Sequence, residues 1–96
     1  MLSIELKNII LNELVPYGIK SVRLFGSFAS GNQKSDSDID LLVDFNNRIS
    51  LLKIVKIERE LSEKTGYKID LLTRKAISPF LIDDIYSKSI LLNSEG

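Results

Sequence analysis

The sequence predicts a small α/β (α+β) fold, a mixed β-sheet with helices packed on it. Three observations predict it. Apolar residues recur at helical spacing over 3–15 and 50–65. Short β-favouring runs lie at 20–25, 39–45 and 67–72. The second helix joins the last two of these runs, which makes it a crossover connection between neighbouring strands.

Each element has its own reason. Ser3 is placed to cap the first helix, in which Leu6, Ile9, Ile10 and Leu14 are interleaved with Glu5, Lys7, Asn8, Asn12 and Glu13. Pro16 and Gly18 end that helix. Val22, Leu24 and Phe25 form a strand that stops at Gly26-Ser27. Nothing from Ser30 to Ser37 calls for burial, so this stretch is a loop. Ile39, Leu41, Val43 and Phe45 then alternate with Asp38, Asp40, Leu42 and Asp44. Period two is a strand, and its middle, Leu41-Leu42-Val43, reads as buried on both faces. The helix over 50–65 is expected to turn Leu51, Leu52, Ile54, Val55 and Leu61 inward and to pair Glu60 with Lys64. Gly66 follows as its left-handed end. Tyr67 to Leu72 is the third strand, and Ser78-Pro79 opens a last helix whose inner face is Leu81, Ile82, Ile85 and Tyr86. Ile90 to Leu92 reads as a short strand or a helix extension, packed on the core or on a partner, and 93–96 should fray.

Composition narrows the chemistry. Ninety-six residues, 44% hydrophobic and 27% charged, make one ordinary globular domain over 1–96, too small to add a separate substrate-binding domain. Thirteen basic and thirteen acidic residues cancel, so no general electrostatic attraction to nucleic acid is expected. With no cysteine there is no disulfide, thiolate catalysis or cysteine-based zinc site. With no histidine, chemistry falls to carboxylates, hydroxyls and lysines. No apolar span is long enough for a secretory or membrane segment, so the expectation is a cytoplasmic protein.

Asp38 and Asp40 lie on one face of their strand, Cα atoms roughly 6.6 Å apart, and can converge on one small hard cation. Mg²⁺ suits them, since it takes oxygen ligands and is commonly shared between one or two carboxylates and substrate phosphates. Gly26 allows close backbone approach, and Ser27 is expected to cap a short helix whose N–H groups face a phosphate. Lys34, in the loop, is a further candidate for the triphosphate. A phosphate cradle and a metal pair on neighbouring strands are what nucleotidyl transfer needs.

Gly26-Ser27, ten intervening residues, and then Asp38-Ile39-Asp40 resemble the signature of the DNA polymerase β-type nucleotidyltransferase superfamily. Ala29, Gly31 and the Ser-Asp-Ile-Asp-Leu run at 37–41 resemble its stand-alone branch, the minimal nucleotidyltransferases (MNT). The resemblance implies the nucleotidyltransferase fold and makes Asp70 the third acidic residue. Asp38, Asp40 and Asp70 would then hold two Mg²⁺ roughly 3.5–4 Å apart. The donor would be ATP, and Asp70 would assist as base. One departure stands out: an arginine is common in that branch where this chain has Ser30, which removes a phosphate contact. Arg74, after the third strand, is a candidate phosphate contact, with an ordinary surface charge as the other reading.

Proteins of this branch are antitoxins of two-gene modules. The resemblance implies a HEPN-type helical ribonuclease as partner, silenced by transfer of AMP from ATP to a tyrosine hydroxyl. Two alternatives stay open: an antitoxin that acts by binding alone, and an oligomeric enzyme that modifies a small hydroxylated molecule.

Overall fold

The structure, a computed structural model, describes residues 2–34 and 36–93. The chain runs α1 (Ile4–Leu14), a 3₁₀ turn (Val15–Tyr17), β1 (Ile19–Phe25), α2 (Ser27–Ser30), β2 (Ile39–Phe45), α3 (Leu51–Thr65), β3 (Ile69–Thr73), a second 3₁₀ turn (Arg74–Ala76), α4 (Pro79–Lys88) and β4 (Ile90–Leu91). Ser3 and Ser78 cap as expected, and Ser50, expected inside the second helix, caps it instead. Ser3 Oγ accepts the Leu6 N–H at 3.2 Å and Ser50 Oγ the Lys53 N–H at 3.2 Å. Ser78 Oγ accepts the Phe80 N–H in front of a Pro79 that needs no donor.

The four strands form one mixed sheet in the order β3-β2-β1-β4. β1 is antiparallel to β2 and β4, whereas β2 and β3 are parallel and joined through α3. Alternation sorts the side chains by face. Val22, Leu24, Ile39, Leu41, Val43, Ile69 and Leu71 meet Ile10 and Leu14 of α1 and Ile57 and Leu61 of α3 in one buried core. Arg23, Asp40, Leu42, Asp70 and Leu72 therefore occupy the other face. Leu42 is buried there, outside the main core cluster. α4 is held near that face by Tyr86, whose ring lies 4.7 Å from the Arg23 guanidinium and 5.6 Å from that of Arg74.

Several expectations are corrected. Leu51, Leu52 and Val55 are exposed. The inward stripe of α3 is Ile54, Ile57 and Leu61, spaced i, i+3, i+7, and that phase throws Leu52 and Val55 to the far side. Leu81 is likewise exposed, while Ile82, Ile85 and Tyr86 are half-buried. Lys64 forms its ion pair with Glu13 of α1, not with Glu60, because Glu13 ties two helices that already touch. β3 begins at Ile69, because Tyr67 is drawn into an edge-to-face contact with Phe28, ring centroids 5.4 Å apart.

Ile90–Leu91 settles as a strand paired with β1. Leu92 is buried and its N–H donates to the Val22 carbonyl at 2.8 Å. Asn93 does not fray: its Oδ1 accepts the Val22 N–H at 2.8 Å and its Nδ2 donates to the Lys20 carbonyl at 3.0 Å. Residues 94–96, also expected to fray, lie outside the described residues. No helix among the described residues is long and apolar enough to cross a membrane.

Candidate active site

Register decides what meets at the head of β2. Asp40 is opposite Phe25 across the antiparallel ladder and opposite Asp70 across the parallel one. Adjacent strands lie roughly 4.8 Å apart, so the two carboxyl groups are side by side on the open face of the sheet. When Asp40 is protonated it can donate a hydrogen bond to Asp70. Gly26, next after Phe25, turns the chain at φ +74° and ψ −151°, a conformation glycine alone adopts at ease. That turn brings its Cα against the Asp40 carboxylate, leaving no room for a side chain.

The Asp40 carboxyl is pushed up from 3.8 to about 6. Burial is the largest cause, followed by the negative charge of Asp70 and the hydrogen bond to it, and then by the charge of Asp38. Two adjacent carboxyls that share a proton form an oxygen-donor set which a divalent cation can hold in the proton's place. The donor chemistry therefore fits Mg²⁺. Asp38, one residue before β2, is turned toward Lys68, with Oδ2 3.9 Å from Nζ. No group of three carboxylates is gathered into a ready cation cage among the described residues. Asp40 and Asp70 form the assembled half, and Asp38 adds its charge from the rim.

The remaining candidates are placed less closely. Ser27 does not cap α2; Gly26 holds that position, and its carbonyl accepts the Ala29 and Ser30 N–H groups. Ser27 is the first helical residue, at the head of the turn beside Asp40. Ser30 Oγ donates to the Ser27 carbonyl at 3.2 Å, so this serine serves the turn itself. Lys34 is exposed, and its backbone closes a turn with Ser37: its N–H donates to Ser37 Oγ at 2.7 Å and its carbonyl accepts the Ser37 N–H. The charges acting on Asp40 are those of Asp70 and Asp38, not of Lys34. Arg74 faces Tyr86, beyond the far end of β3 from Asp70. Sequence reasoning missed Lys68 as the neighbour of Asp38. The signal was available, since Ile39 and Ile69 are register partners and the residues before them must meet.

The chain matches the nucleotidyltransferase domain family over residues 5–92. It belongs to that family. A Methanocaldococcus jannaschii protein named as a protein adenylyltransferase is 41% identical to this nucleotidyltransferase over 86 residues, covering 90% of this chain and 92% of the relative. Protein adenylyltransferase MntA of Thermococcus cleftensis is 38% identical over 61 residues, and that match spans 64% of this chain and 62% of MntA. A solved structure described as a minimal nucleotidyltransferase superposes with a TM-score of 0.78 at 30% identity, over 88% of this chain and 86% of the other. A chain from the complex of a tri-AMPylated Shewanella oneidensis HEPN toxin with its MNT antitoxin superposes with a TM-score of 0.75, over 92% of this chain and 69% of that one. At 19% identity the last likeness is one of fold alone. The nucleotidyltransferase fold expected from the Gly-Ser and Asp-x-Asp spacing is thus the fold observed.

Proposed function

We infer that this nucleotidyltransferase is a protein adenylyltransferase and antitoxin, moving AMP from ATP to a tyrosine hydroxyl of a HEPN-type ribonuclease toxin in the cytoplasm. The observation that carries the transferase reading is the Asp40–Asp70 register pair set against Gly26. The relatives named as protein adenylyltransferases and the fold shared with an MNT antitoxin supply the acceptor class. Nothing in the reading requires nucleic acid or a membrane.

Asp38, Asp40 and Asp70 would hold the Mg²⁺ that the reaction uses, two ions being expected. Bound Mg²⁺ supplies charge neutralisation on the triphosphate and lowers the pKa of the acceptor hydroxyl. Gly26 and Ser27 receive the terminal phosphates at the end of β1, with Lys34 reaching them from its loop. Asp70 takes the proton of the attacking hydroxyl. The tyrosine oxygen bonds to the α-phosphorus, the bond to the β-phosphate bridging oxygen breaks, and pyrophosphate leaves in line. A product of an ester and pyrophosphate balances the reaction without any redox partner.

Intact-mass spectrometry of this chain mixed with the product of the adjacent gene, ATP and Mg²⁺ tests the reading. An AMP-sized gain on the partner, lost in Asp40→Asn, is the expected result. A complex that forms with no gain on either chain sinks it in favour of an antitoxin that acts by binding. Ser30, where the resembled branch commonly has arginine, is the observation that keeps this second reading in play.

A further inference from the structure

The parallel pair that begins at the carboxylates ends at Val43 and Thr73, three residues and roughly 10 Å along, in a different surface. There a cleft of about 260 Å³ opens between the loop after β2 and the end of β3. Asn46, Arg48, Ile49, Thr73, Arg74 and Lys75 are among the residues lining it. Arg48 and Ile49 also line a second cleft toward Tyr17 and Lys53, so Arg48 stands between the two.

This end is net positive. Residues 46–57 and 73–82 carry Arg48, Lys53, Lys56, Arg74 and Lys75 and no carboxylate. Asp44 also lines the cleft, beside Arg48, Arg74 and Lys75, in a chain whose net charge is zero. The two segments also carry the large apolar side chains that folding leaves in water. Leu51 and Leu52 begin α3, and Leu52 is 83% exposed. Phe80 and Leu81 begin α4, and Phe80 is 94% exposed. Each of these pairs lies within six residues of a residue lining the first cleft.

We propose that this end of the sheet is a docking exosite for the acceptor protein, taking a segment of that protein whose carboxylates enter the Arg48–Lys75 cleft and whose apolar side chains cover Leu52 and Phe80. This rests on the acceptor being a protein, as in the preceding section. Three features select that occupant. The three cations lining the cleft outnumber its one carboxylate, Asp44, and so favour an anionic partner, whereas in a symmetric dimer Arg48, Arg74 and Lys75 would face their own copies and repel. The exposed side chains are four aliphatic or aromatic groups that a phosphate backbone would leave in water, whereas a protein would bury them. The cleft is smaller than the roughly 300–1,000 Å³ that house whole small-molecule ligands, and suits the tips of two or three side chains. Holding the acceptor beyond the far ends of β2 and β3 from Asp40 and Asp70 separates recognition from transfer.

The test uses Arg48→Glu/Lys75→Glu and, separately, Leu52→Ser/Phe80→Ser, each checked for an unchanged melting midpoint. The probe is the purified product of the adjacent gene, titrated calorimetrically and assayed for AMP transfer. Each pair of substitutions is expected to weaken the complex at least tenfold and to raise KM for the protein acceptor with kcat unchanged. Asp40→Asn is expected to leave complex formation intact. Affinity unchanged in both double variants overturns the exosite, as does the absence of any complex. It is equally overturned if the wild-type chain binds a labelled single-stranded RNA, or dimerises, through these residues. If the complex forms and responds to both variants but no AMP is transferred, the docking surface stands and the transferase reading falls.

Discussion

Gly26 and Asp40 compete for one volume: a Cβ on the first would stand 2.2 Å from Oδ2 of the second. Backbone and carboxylate therefore pack as a unit, and the turn that ends β1 is indexed to the carboxyl at the head of β2.

Gly26→Ala is accordingly expected to act twice. The alanine is strained at φ +74°, and relief of the clash displaces the Asp40 carboxylate. A loss of about 2–4 kcal/mol in chemical denaturation is expected from the strained backbone and the clash together. Transfer should fall by more than about a hundredfold, because a misplaced ligand of about 1 Å already costs that much. Near-wild-type turnover in a folded Gly26→Ala protein would show that the approach is incidental.

Asp40 also gives the cation-free protein a pH signature. Its folded pKa, about 6, lies above the ordinary 3.8, so between these values the folded chain holds a proton that the unfolded chain has lost. This contribution to stability is full below 3.8 and is lost as pH rises through 6. After allowance for solvent it amounts to about 2 kcal/mol. In EDTA at pH 7.5, Asp40→Asn should thus melt higher than wild type by several degrees, since about 1 kcal/mol moves Tm by roughly 4–8 °C in a domain of this size. The gap should close by pH 4. A variant that melts lower at pH 7.5 would contradict the strained pair.

Added Mg²⁺ should raise the melting midpoint of the wild type at pH 7.5 and do so much less at pH 5, where the shared proton competes. Asp38→Asn, Asp40→Asn and Asp70→Asn should each blunt this shift and cut transfer by about a hundredfold or more while the fold survives. Retention of full activity by all three would remove the metal assignment.

Asn93 reaches back to both sides of Lys20-Ser21-Val22, continuing the β4 ladder with side-chain atoms. Asn93→Ala leaves the Val22 N–H without its acceptor, and a loss of about 1–3 kcal/mol is expected. Urea titration of the variant measures it; a change under about 0.3 kcal/mol would mean that water replaces the amide.

The elements were legible because their signals are local. Ser3 and Ser78 cap where the sequence places caps, and Ile39, Leu41 and Val43 alternate into the core. The pairing of Asp40 with Asp70 follows from the α3 crossover, which the sequence also announces. What escaped depends on phase or on distant contacts. Leu51, Leu52 and Val55 look inward on composition alone, yet Ile57 and Leu61 set the rotation of α3. Ser27 was expected as the cap, but it is Gly26 whose positive φ lets the chain leave β1 and enter α2. Asn93 is bound seventy-one residues away in sequence, beyond the reach of any local pattern.

α4 has no buried residue and is fastened chiefly by Tyr86 against Arg23 and by Ser89, whose hydroxyl receives the Arg23 Nη1 donor at 3.2 Å. Its amides should exchange with solvent deuterium well before those of α1 and α3, in an opening that leaves the main core closed. α4 lies against β1, on the sheet face that also carries Asp40 and Asp70, and leaves the carboxyl pair itself open. Opening α4 would widen that face beside β1 while the main core stays closed, so room for a bulky acceptor next to the carboxyl pair would come at the loss of the Tyr86 and Ser89 contacts to Arg23.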